Sequence, residues 1–354
     1  MFKIDELLNR IYDSGLPALE DLEQVLSLEN QADLDKLFSF ADTVRKEFCG
    51  DGIFLRGIIE FSSFCGKECC YCGLNKNNRK LSRYCLSREE LLKSVAYLAG
   101  CNIKTVVLQS GEDEGLDALW LRDIVREIKL NYDMAITLSV GEKSADDYRI
   151  WKESGASRYL LKMETSDENL YASMHPRMDF KQRLNCLDVL RKLGYQVGSG
   201  NIIGLPGQSL KTIARDILFF KQGNFDMLGI GPFIPHGDTL FSGEKKGDVM
   251  LTLKTIALTR ILTRNAHIPA TTALGSLDKD YRLDGLKCGA NILMPNFTPQ
   301  PYRKLYQIYS GKRCIEEPMG ACNFCMDGMA KNINRFIDYA QGDSLKKRTV
   351  SFIK

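Results

Sequence analysis

The chain lacks the features that would direct it to a membrane, an export pathway or a nucleic acid. No apolar run reaches the roughly 20 residues that a membrane-spanning helix needs. The opening residues, MFKIDELLNRIYDSG, mix apolar with charged side chains and contain no apolar core of a signal peptide. The net charge is only +3, from 48 basic and 45 acidic residues, which is too small to attract a polyanion. We therefore expect a cytoplasmic protein without membrane or nucleic-acid partners.

Cysteine, by contrast, is abundant and unevenly distributed. Disulfide frameworks are typical of short secreted chains, so the 12 cysteines are expected to be reduced thiols. Five are scattered and are expected to be small buried apolar residues, namely Cys49, Cys85, Cys101, Cys186 and Cys288. The remaining seven form two groups, Cys65, Cys69, Cys70 and Cys72, and then Cys314, Cys322 and Cys325.

Short β-branched segments alternate with amphipathic ones through most of the chain. Eight segments are typical of strands: IFLRGIIEFS, KTVVLQSG, MAITLSVG, SRYLLKMET, YQVGSGNIIG, DMLGIGPFIP, IPATTALG and NILMPN. Helix-like segments separate them, and this order predicts an α/β fold, a (β/α)8 barrel of the TIM type. We expect an N-terminal helical extension at 1–50, the barrel at 51–300 and a C-terminal extension at 301–354. Active sites of this fold lie at the C-terminal ends of the strands.

The first cysteine group follows the first predicted strand. Cys65, Cys69 and Cys72 have the spacing C-x3-C-x2-C, with Tyr71 directly before the last of them. Structural zinc usually takes four ligands, and no further Cys/His pair follows at finger-like spacing. Thiolates suit iron–sulfur clusters, and a cubane held by three of them has one iron open to another ligand. Cys70 does not fit the spacing and is expected to be a neighbour of the site.

This motif resembles that of the radical S-adenosylmethionine enzymes. The resemblance implies a 4Fe-4S cluster, S-adenosylmethionine bound at its open iron, and reductive cleavage of that cofactor to a 5′-deoxyadenosyl radical. It also implies cofactor contacts at the ends of the following strands. The expected cofactor-binding residues are Tyr71, Gln109, Ser110, Gly111, Glu112, Glu164, Arg183 and Ile203. Among these, Glu112 would meet the ammonium group, Glu164 the ribose and Arg183 the carboxylate, while 200–208 would pack against adenine.

Further segments resemble the HydE type of hydrogenase maturase within that family, among them VVLQSGED, LGIGPFIPHGDT, CGANILMPN and PYRKLYQIY. The resemblance implies processing of a cysteine-ligated iron carbonyl/cyanide precursor during assembly of the dithiomethylamine-bridged di-iron subcluster. It also implies partner maturases and an electron donor such as ferredoxin or flavodoxin. The expected substrate contacts are Lys162, Thr271, Thr272, Met294 and Tyr306. Lys162-Met163 stands where some members carry Arg-His, which leaves a cation but removes the guanidinium fork and the imidazole.

Two other functions stay open on the sequence. One is a radical enzyme of the methylornithine synthase or biotin synthase group that acts on a small amino acid. The other is a non-catalytic iron–sulfur scaffold, which would not need Glu112, Glu164 or Arg183.

The second cysteine group, C-x7-C-x2-C, resembles an accessory site for a 2Fe-2S or 4Fe-4S cluster, and a zinc ion is the alternative. Of the three histidines, His236 is expected at a strand end where it could face the cavity. His175 and His267 are interpreted as turn residues.

Overall fold

The computed structural model describes residues 3–318 and 322–346, and the side chains of 322–324 lie outside that description. Its helices are α1 Ile4–Asp13, α2 Leu19–Leu26, α3 Gln31–Cys49, α4 Arg88–Gly100, α5 Ala118–Asn131, α6 Ala145–Glu153, α7 Glu168–Met174, α8 Phe180–Lys192, α9 Leu210–Gly223, α10 Val249–Thr263, α11 Thr272–Gly275, α12 Arg282–Lys287, α13 Gln300–Arg303 and α14 Cys322–Lys331. Its strands are β1 Gly52–Leu55, β2 Gly57–Ser62, β3 Thr105–Ser110, β4 Ala135–Ser139, β5 Arg158–Leu160, β6 Gln196–Ile203, β7 Met227–Pro232, β8 Ile292–Leu293 and β9 Phe336–Asp338. No helix of this described part is long and apolar enough to cross a membrane.

The strands pair in parallel, as the alternating order predicts. One sheet has the order β2-β3-β4-β5-β6-β7 and the other the order β8-β1-β9. Isolated parallel bridges link them, from Ile58 to Asn296, from Met227 to His267 and from Pro269 to Ile292. The result is an α/β fold of the TIM-barrel type in which the two sheets are joined by short bridges rather than by continuous ladders.

Helix boundaries follow the local sequence. Ser87 and Glu90 form a capping box at the start of α4, and Ser144 and Asp147 form one at the start of α6. These side chains satisfy backbone N–H groups that the first helical turn leaves without partners. Asn30 caps α3 in a similar way. These three helices therefore begin where the sequence supplies an acceptor.

Two of the predicted strands are wrong in detail. The first, at 53–62, is divided at Arg56 into β1, which pairs with β8 and β9, and β2, which pairs with β3. The seventh, at 268–275, makes only single bridges before α11 begins. Pro269 has no N–H to donate to a ladder, which explains why no regular strand forms there. The tail strand β9 escaped prediction because it has only three residues.

The chain after β9 covers the N-terminal ends of the barrel strands. Asp343 accepts hydrogen bonds from Arg158 at 2.9 Å and from Gln196 at 2.7 Å. Its backbone carbonyl lies 2.9 Å from Nε2 of His267, which is almost fully buried. This end of the barrel is closed by the tail, and the chemistry must therefore take place at the opposite end.

The Arg158–Asp343 pair predicts a measurable stability effect. Asp343→Ala leaves the buried guanidinium with only neutral acceptors, and we expect unfolding free energy to fall by about 1–3 kcal/mol. Denaturant titration measures the change. Asp188→Ala, which removes an exposed carboxylate 3.0 Å from Arg191, is the control and should stay within about 0.5 kcal/mol of the wild type. An equal effect of both substitutions would contradict this role for Asp343.

Candidate active site

A cavity of about 330 Å³ lies at the C-terminal ends of the strands, where the fold predicts it. All but one of the predicted cofactor and substrate residues line it: Tyr71, Gln109, Ser110, Gly111, Glu112, Lys162, Glu164, Arg183, Thr271, Thr272, Met294 and Tyr306. The exception is Ile203, which is buried in the core, whereas Ile202 faces the cavity. Side chains alternate across a strand, and the prediction chose the wrong member of the pair.

Cys65, Cys69 and Cys72 line the same cavity from the loop after β2. This loop is tied to the end of β3, because the Gly66 amide donates to the carbonyl of Glu112 at 2.8 Å. A Cβ atom at Gly111 would lie 2.3 Å from the carbonyl oxygen of Phe64 and 2.7 Å from Cβ of Cys65. Glycine at 111 therefore permits the close approach of the two segments.

Burial raises the pKa of all three thiols, to about 12 for Cys72. Ionisation consequently requires a nearby positive centre, and binding of a metal there would release protons. In residues 3–318 and 322–346, no three Cys, His, Asp or Glu side chains converge on a point where one metal ion could sit. The ligands of a cubane bind different iron atoms, so the three thiols need not converge.

Cys70 faces away from the cavity. Its side chain is buried, and its Sγ lies 3.5 Å from the carbonyl oxygen of Ser173. Its amide donates to the carbonyl of Met174 at 2.9 Å. The structure thus places Cys70 between the cysteine loop and α7, in agreement with its exclusion from the ligand set.

A buried histidine holds Tyr71. The Tyr71 hydroxyl lies 2.9 Å from Nε2 of His175, and Nδ1 of His175 lies 3.0 Å from the carbonyl oxygen of Tyr171. Because a carbonyl only accepts, Nδ1 carries the proton and Nε2 accepts from Tyr71. Burial lowers the pKa of His175 to about 4, so the imidazole is neutral at pH 7. His175 begins the turn after α7, as predicted, because the amide of Met178 donates to its carbonyl at 3.1 Å, but the contact of its ring with Tyr71 was not predicted.

Arg183 lies between two carboxylates. Its Nη1 is 2.7 Å from Oε1 of Glu112 and 3.1 Å from Oε1 of Glu142. Burial tends to raise the pKa of both carboxyl groups, and the pKa of Glu142 is raised. The pKa of Glu112 nevertheless lies below its ordinary value, because the Arg183 guanidinium and hydrogen bonds stabilise its charged form. Nε of Arg183 is buried without a hydrogen-bond partner in the described part of the chain. Arg183 therefore has at least one donor, the Nε N–H, that no described protein group engages.

Glu142 was missed by the sequence analysis. It follows β4, and its amide donates to Oε2 of Glu112 at 3.1 Å. Gly141 has a φ of +79°, and a Cβ there would lie 1.9 Å from Cγ of Glu112. The segment VGE at 140–142 resembles the strand end SGE at 110–112, and this similarity could have identified it.

Lys162 pairs with Glu164 across the cavity wall, with Nζ 2.8 Å from Oε2. Glu164 has a φ of +65°, an uncommon conformation for glutamate, and its amide donates to the carbonyl of Gly200 at 3.0 Å. A Cβ at Gly200 would lie 2.9 Å from Cε of Lys162, so glycine makes room for the lysine chain. Strained residues of this kind are concentrated at functional sites, and the strain supports a ligand-binding role for Glu164.

Thr271, Met294 and Tyr306 line the far side of the cavity. Oγ1 of Thr271 is buried and makes no hydrogen bond within residues 3–318 and 322–346. The hydroxyl of Tyr306 accepts a hydrogen bond from Nε2 of Gln109 at 3.2 Å. This half of the cavity therefore combines apolar surface with an unused hydroxyl.

A further ion pair in the cavity wall, in addition to those of Arg183 and Lys162, was not predicted. Glu60, in the middle of β2, forms a hydrogen-bonded ion pair with Lys312 of the C-terminal extension, and both side chains are buried. Glu60 also accepts from Nδ2 of Asn296 at 3.0 Å. A glutamate in the apolar run GIIEFS was the signal in the sequence, but its partner lies 252 residues away.

Two members of the second cysteine group, Cys314 and Cys325, lie outside the cavity. Cys314 and Cys325 both lie near the guanidinium of Arg282, and neither lines the cavity. The side chain of Cys322 lies outside the described residues. A cluster at these three cysteines stays a prediction.

The two remaining histidines are not cavity residues either. His236 packs beside Gly73, where a Cβ would lie 2.5 Å from its Cδ2, but it does not line the cavity. His267 is buried at the closed end of the barrel and forms a β-bridge with Met227, so its interpretation as a turn residue was wrong.

Comparison with known proteins identifies the family. Residues 59–220 match the Radical SAM superfamily. The chain is 47% identical over 316 residues to the [FeFe] hydrogenase maturase subunit HydE of Thermotoga maritima, covering 89% of this chain and 90% of that protein. The chain belongs to the HydE family of radical S-adenosylmethionine enzymes.

A further relative and two solved structures are less similar in sequence. The chain is 30% identical to a 3-methylornithine synthase of Methanosarcina acetivorans, over 77% of this chain and 78% of that protein. A crystal structure of methylornithine synthase superposes with a TM-score of 0.83 at 25% identity, covering 94% of this chain and 97% of that one. The maturase HydG superposes with a TM-score of 0.80 at 17% identity, over 95% of this chain and 76% of that one, and supports the fold alone.

The residues of this HydE-family site fit the 4Fe-4S cluster and S-adenosylmethionine that the family implies. Three soft thiol ligands lie at one end of the cavity, and they would leave one iron of a cubane without a protein ligand. Beside them, Glu112 and Arg183 offer one group of each charge to an amino acid end.

Arg183 gives a direct test of that fit. Arg183→Ala removes the donors of a buried guanidinium, and we expect the Kd of S-adenosylmethionine to rise by about 10- to 100-fold, corresponding to about 1.5–3 kcal/mol. Arg183→Lys keeps the charge but loses the planar fork and should have a smaller effect. Equilibrium titration of the reconstituted protein measures both. An unchanged Kd in Arg183→Ala would remove this residue from the cofactor site.

Proposed function

We propose that the chain is a hydrogenase maturase that processes a cysteine-ligated iron carbonyl/cyanide precursor. The product would be on the way to the dithiomethylamine-bridged di-iron subcluster of the [FeFe] hydrogenase. The observation that carries this proposal is the 47% identity to a HydE maturase along nearly the full length of both chains.

In this proposal, Cys65, Cys69 and Cys72 hold the 4Fe-4S cluster. When bound, the cluster and S-adenosylmethionine would supply the chemistry of a 5′-deoxyadenosyl radical, with the electron provided by the external donor. Glu112 and Arg183 orient the amino acid end of the cofactor through opposite charges, for which their present ion pair rearranges. Glu142 keeps Arg183 in place from its other side.

The remaining cofactor contacts follow from the cavity wall. Glu164 presents its carboxylate to the ribose hydroxyls, and its strained backbone fixes the direction of the side chain. Tyr71, held by His175, and Ile202 offer apolar surface to the adenosyl part. Gln109 and Ser110 line the same region from β3.

The substrate occupies the far half of the cavity in this proposal. A small anionic iron complex would be met by the Lys162 ammonium and by the unused Thr271 hydroxyl, with Thr272 beside it. Met294 and Tyr306 provide apolar walls that exclude water. Exclusion of water protects both a carbon radical and a reactive metal complex from side reactions.

The partners in this proposal are a radical enzyme that makes the precursor and an electron donor such as ferredoxin or flavodoxin. We place these steps in the cytoplasm. We assign an accessory cluster at Cys314, Cys322 and Cys325 no part in the radical step, because neither Cys314 nor Cys325 lines the cavity.

A methylornithine synthase type of reaction is the second candidate. It is favoured by the TM-score of 0.83 and the 94% coverage of the chain by that structure. Such an enzyme would bind an organic amino acid and release a rearranged product. The lower sequence identity, 30% against 47%, makes this the weaker candidate.

Stimulation of cofactor cleavage by the substrate separates the two candidates. Reconstituted protein is given a reductant and S-adenosylmethionine, and 5′-deoxyadenosine is measured with a cysteine-ligated iron carbonyl/cyanide complex or with a set of free amino acids that includes 3-methylornithine. We expect the iron complex to accelerate cleavage and the amino acids to have no effect. Acceleration by one of the amino acids, with formation of a rearranged amino acid, would assign the second function instead.

A further inference from the structure

A segment of the C-terminal extension forms one wall of the cavity. We call residues 305–312 the strap. Tyr306, Ile308, Tyr309 and Lys312 of the strap line the cavity, together with side chains from the barrel strands. The strap follows α13 and therefore lies beyond the last barrel strand. Residues from outside the barrel thus complete the site.

The strap contacts the cysteine loop directly. The amide of Gly73, the residue after Cys72, donates to the carbonyl of Ile308 at 3.0 Å. A Cβ at Gly73 would lie 2.2 Å from the carbonyl oxygen of Gln307. On the other side, the amide of Ser310 donates to the carbonyl of Pro235 after β7 at 3.3 Å. The strap thus spans the cavity from the cysteine loop to the β7 end.

One buried ion pair fixes the end of the strap. The ammonium of Lys312 bonds the carboxylate of Glu60 and also donates to the carbonyl of Tyr306 at 3.1 Å. Both charged side chains are about 95% buried. Glu60 is itself held by Asn296 from the β8 end. Burying two charges is costly, and such a pair forms only when the strap lies in one position.

We propose that Glu60 and Lys312 are positioning residues that latch the strap over the cavity. The latch sets the place of Tyr306, whose hydroxyl bonds Gln109 at 3.2 Å, and it supports the backbone directly behind Cys72. It closes the cavity on the substrate side, so its loss lets water in and loosens substrate binding. Only the identity of the substrate in this inference rests on the proposed function.

Hydrogen exchange of the reconstituted protein tests the latch without any activity measurement. Lys312→Met leaves an unpaired buried carboxylate, so the double variant Glu60→Gln with Lys312→Met removes both charges and guards against misfolding. In the folded double variant we expect amide exchange of 305–312 to accelerate by about tenfold or more. Lys312→Arg keeps the charge and should restore most of the protection.

A matched control pair is available in α14. Lys331→Met removes an exposed ion pair with Asp327, in which the two charged atoms lie 2.5 Å apart, and should leave exchange of the strap unchanged.

Steady-state kinetics provide a second measurement of the latch. We expect the KM for the iron complex to rise by about tenfold in the double variant, while kcat changes less. Unchanged strap exchange in a folded double variant would overturn the latch. If strap exchange accelerates in the double variant but the iron complex does not stimulate cofactor cleavage in the wild type, the proposed substrate is refuted and the latch is still supported.

Discussion

Replacing any one of Cys65, Cys69 or Cys72 with serine abolishes reductive cleavage of S-adenosylmethionine. Each of these thiols lines the cavity, and a hydroxyl is a poor ligand for iron in such a cluster. The measurement is 5′-deoxyadenosine formed from the anaerobically reconstituted, reduced protein, with the iron content determined beside it. We expect no product above background in any of the three variants.

Cys70→Ala is the matched control, because Cys70 lies within the same loop but faces the carbonyl of Ser173. This variant should keep nearly full cleavage. Loss of cleavage in Cys70→Ala, or retention in one of the three serine variants, would show that the assigned ligands are wrong.

Gly111→Ala should also nearly eliminate cleavage, although glycine carries no chemistry of its own. The added methyl group would lie 2.3 Å from the carbonyl oxygen of Phe64 and 2.7 Å from Cβ of Cys65. These atoms belong to the backbone or are attached directly to it, so they cannot move aside by a change of side-chain rotamer. The loop that carries the first ligand must therefore move. We expect reduced iron content at the first cluster and a loss of S-adenosylmethionine cleavage in the same variant.

Gly66→Ala separates this steric effect from a general intolerance of the loop. Its added methyl would meet nothing closer than 3.7 Å, an ordinary contact. Cleavage should therefore stay near the wild-type level. Equal losses in Gly66→Ala and Gly111→Ala would mean that the approach of the two segments is not what Gly111 provides.

Local patterns in the sequence predict much of this structure. The β-branched segments form parallel strands, and the three cysteines of the C-x3-C-x2-C motif line one cavity. Glu112 and Glu164 also line that cavity, because they follow strand ends that point toward the same mouth, whereas Arg183 reaches it from the first turn of α8. The strands and the position of the cysteine motif could be predicted because they depend on residues close together in the chain and on the shared direction of parallel strands.

The features that escaped prediction depend on contacts between distant residues. Lys312 reaches Glu60 across 252 positions, and no periodicity in either segment indicates the pair. The contact of His175 with Tyr71 was missed because 104 positions separate the two residues. The sequence analysis assigned Arg183 to the cofactor carboxylate, and the structure pairs it in addition with Glu112 and Glu142, two partners that no local pattern indicates. The sequence shows which residues are charged, but the packing of the fold determines which of them form ion pairs.

The most direct test of the account is restoration of hydrogenase activity in a defined maturation mixture that lacks its own HydE. The mixture contains the other maturases, an electron donor, S-adenosylmethionine and hydrogenase protein without its active-site cluster, and hydrogen evolution is measured after adding this chain. The account predicts that wild-type protein restores activity and that Cys72→Ser does not. An inactive hydrogenase, in a mixture where the added wild-type protein still cleaves S-adenosylmethionine, would contradict it.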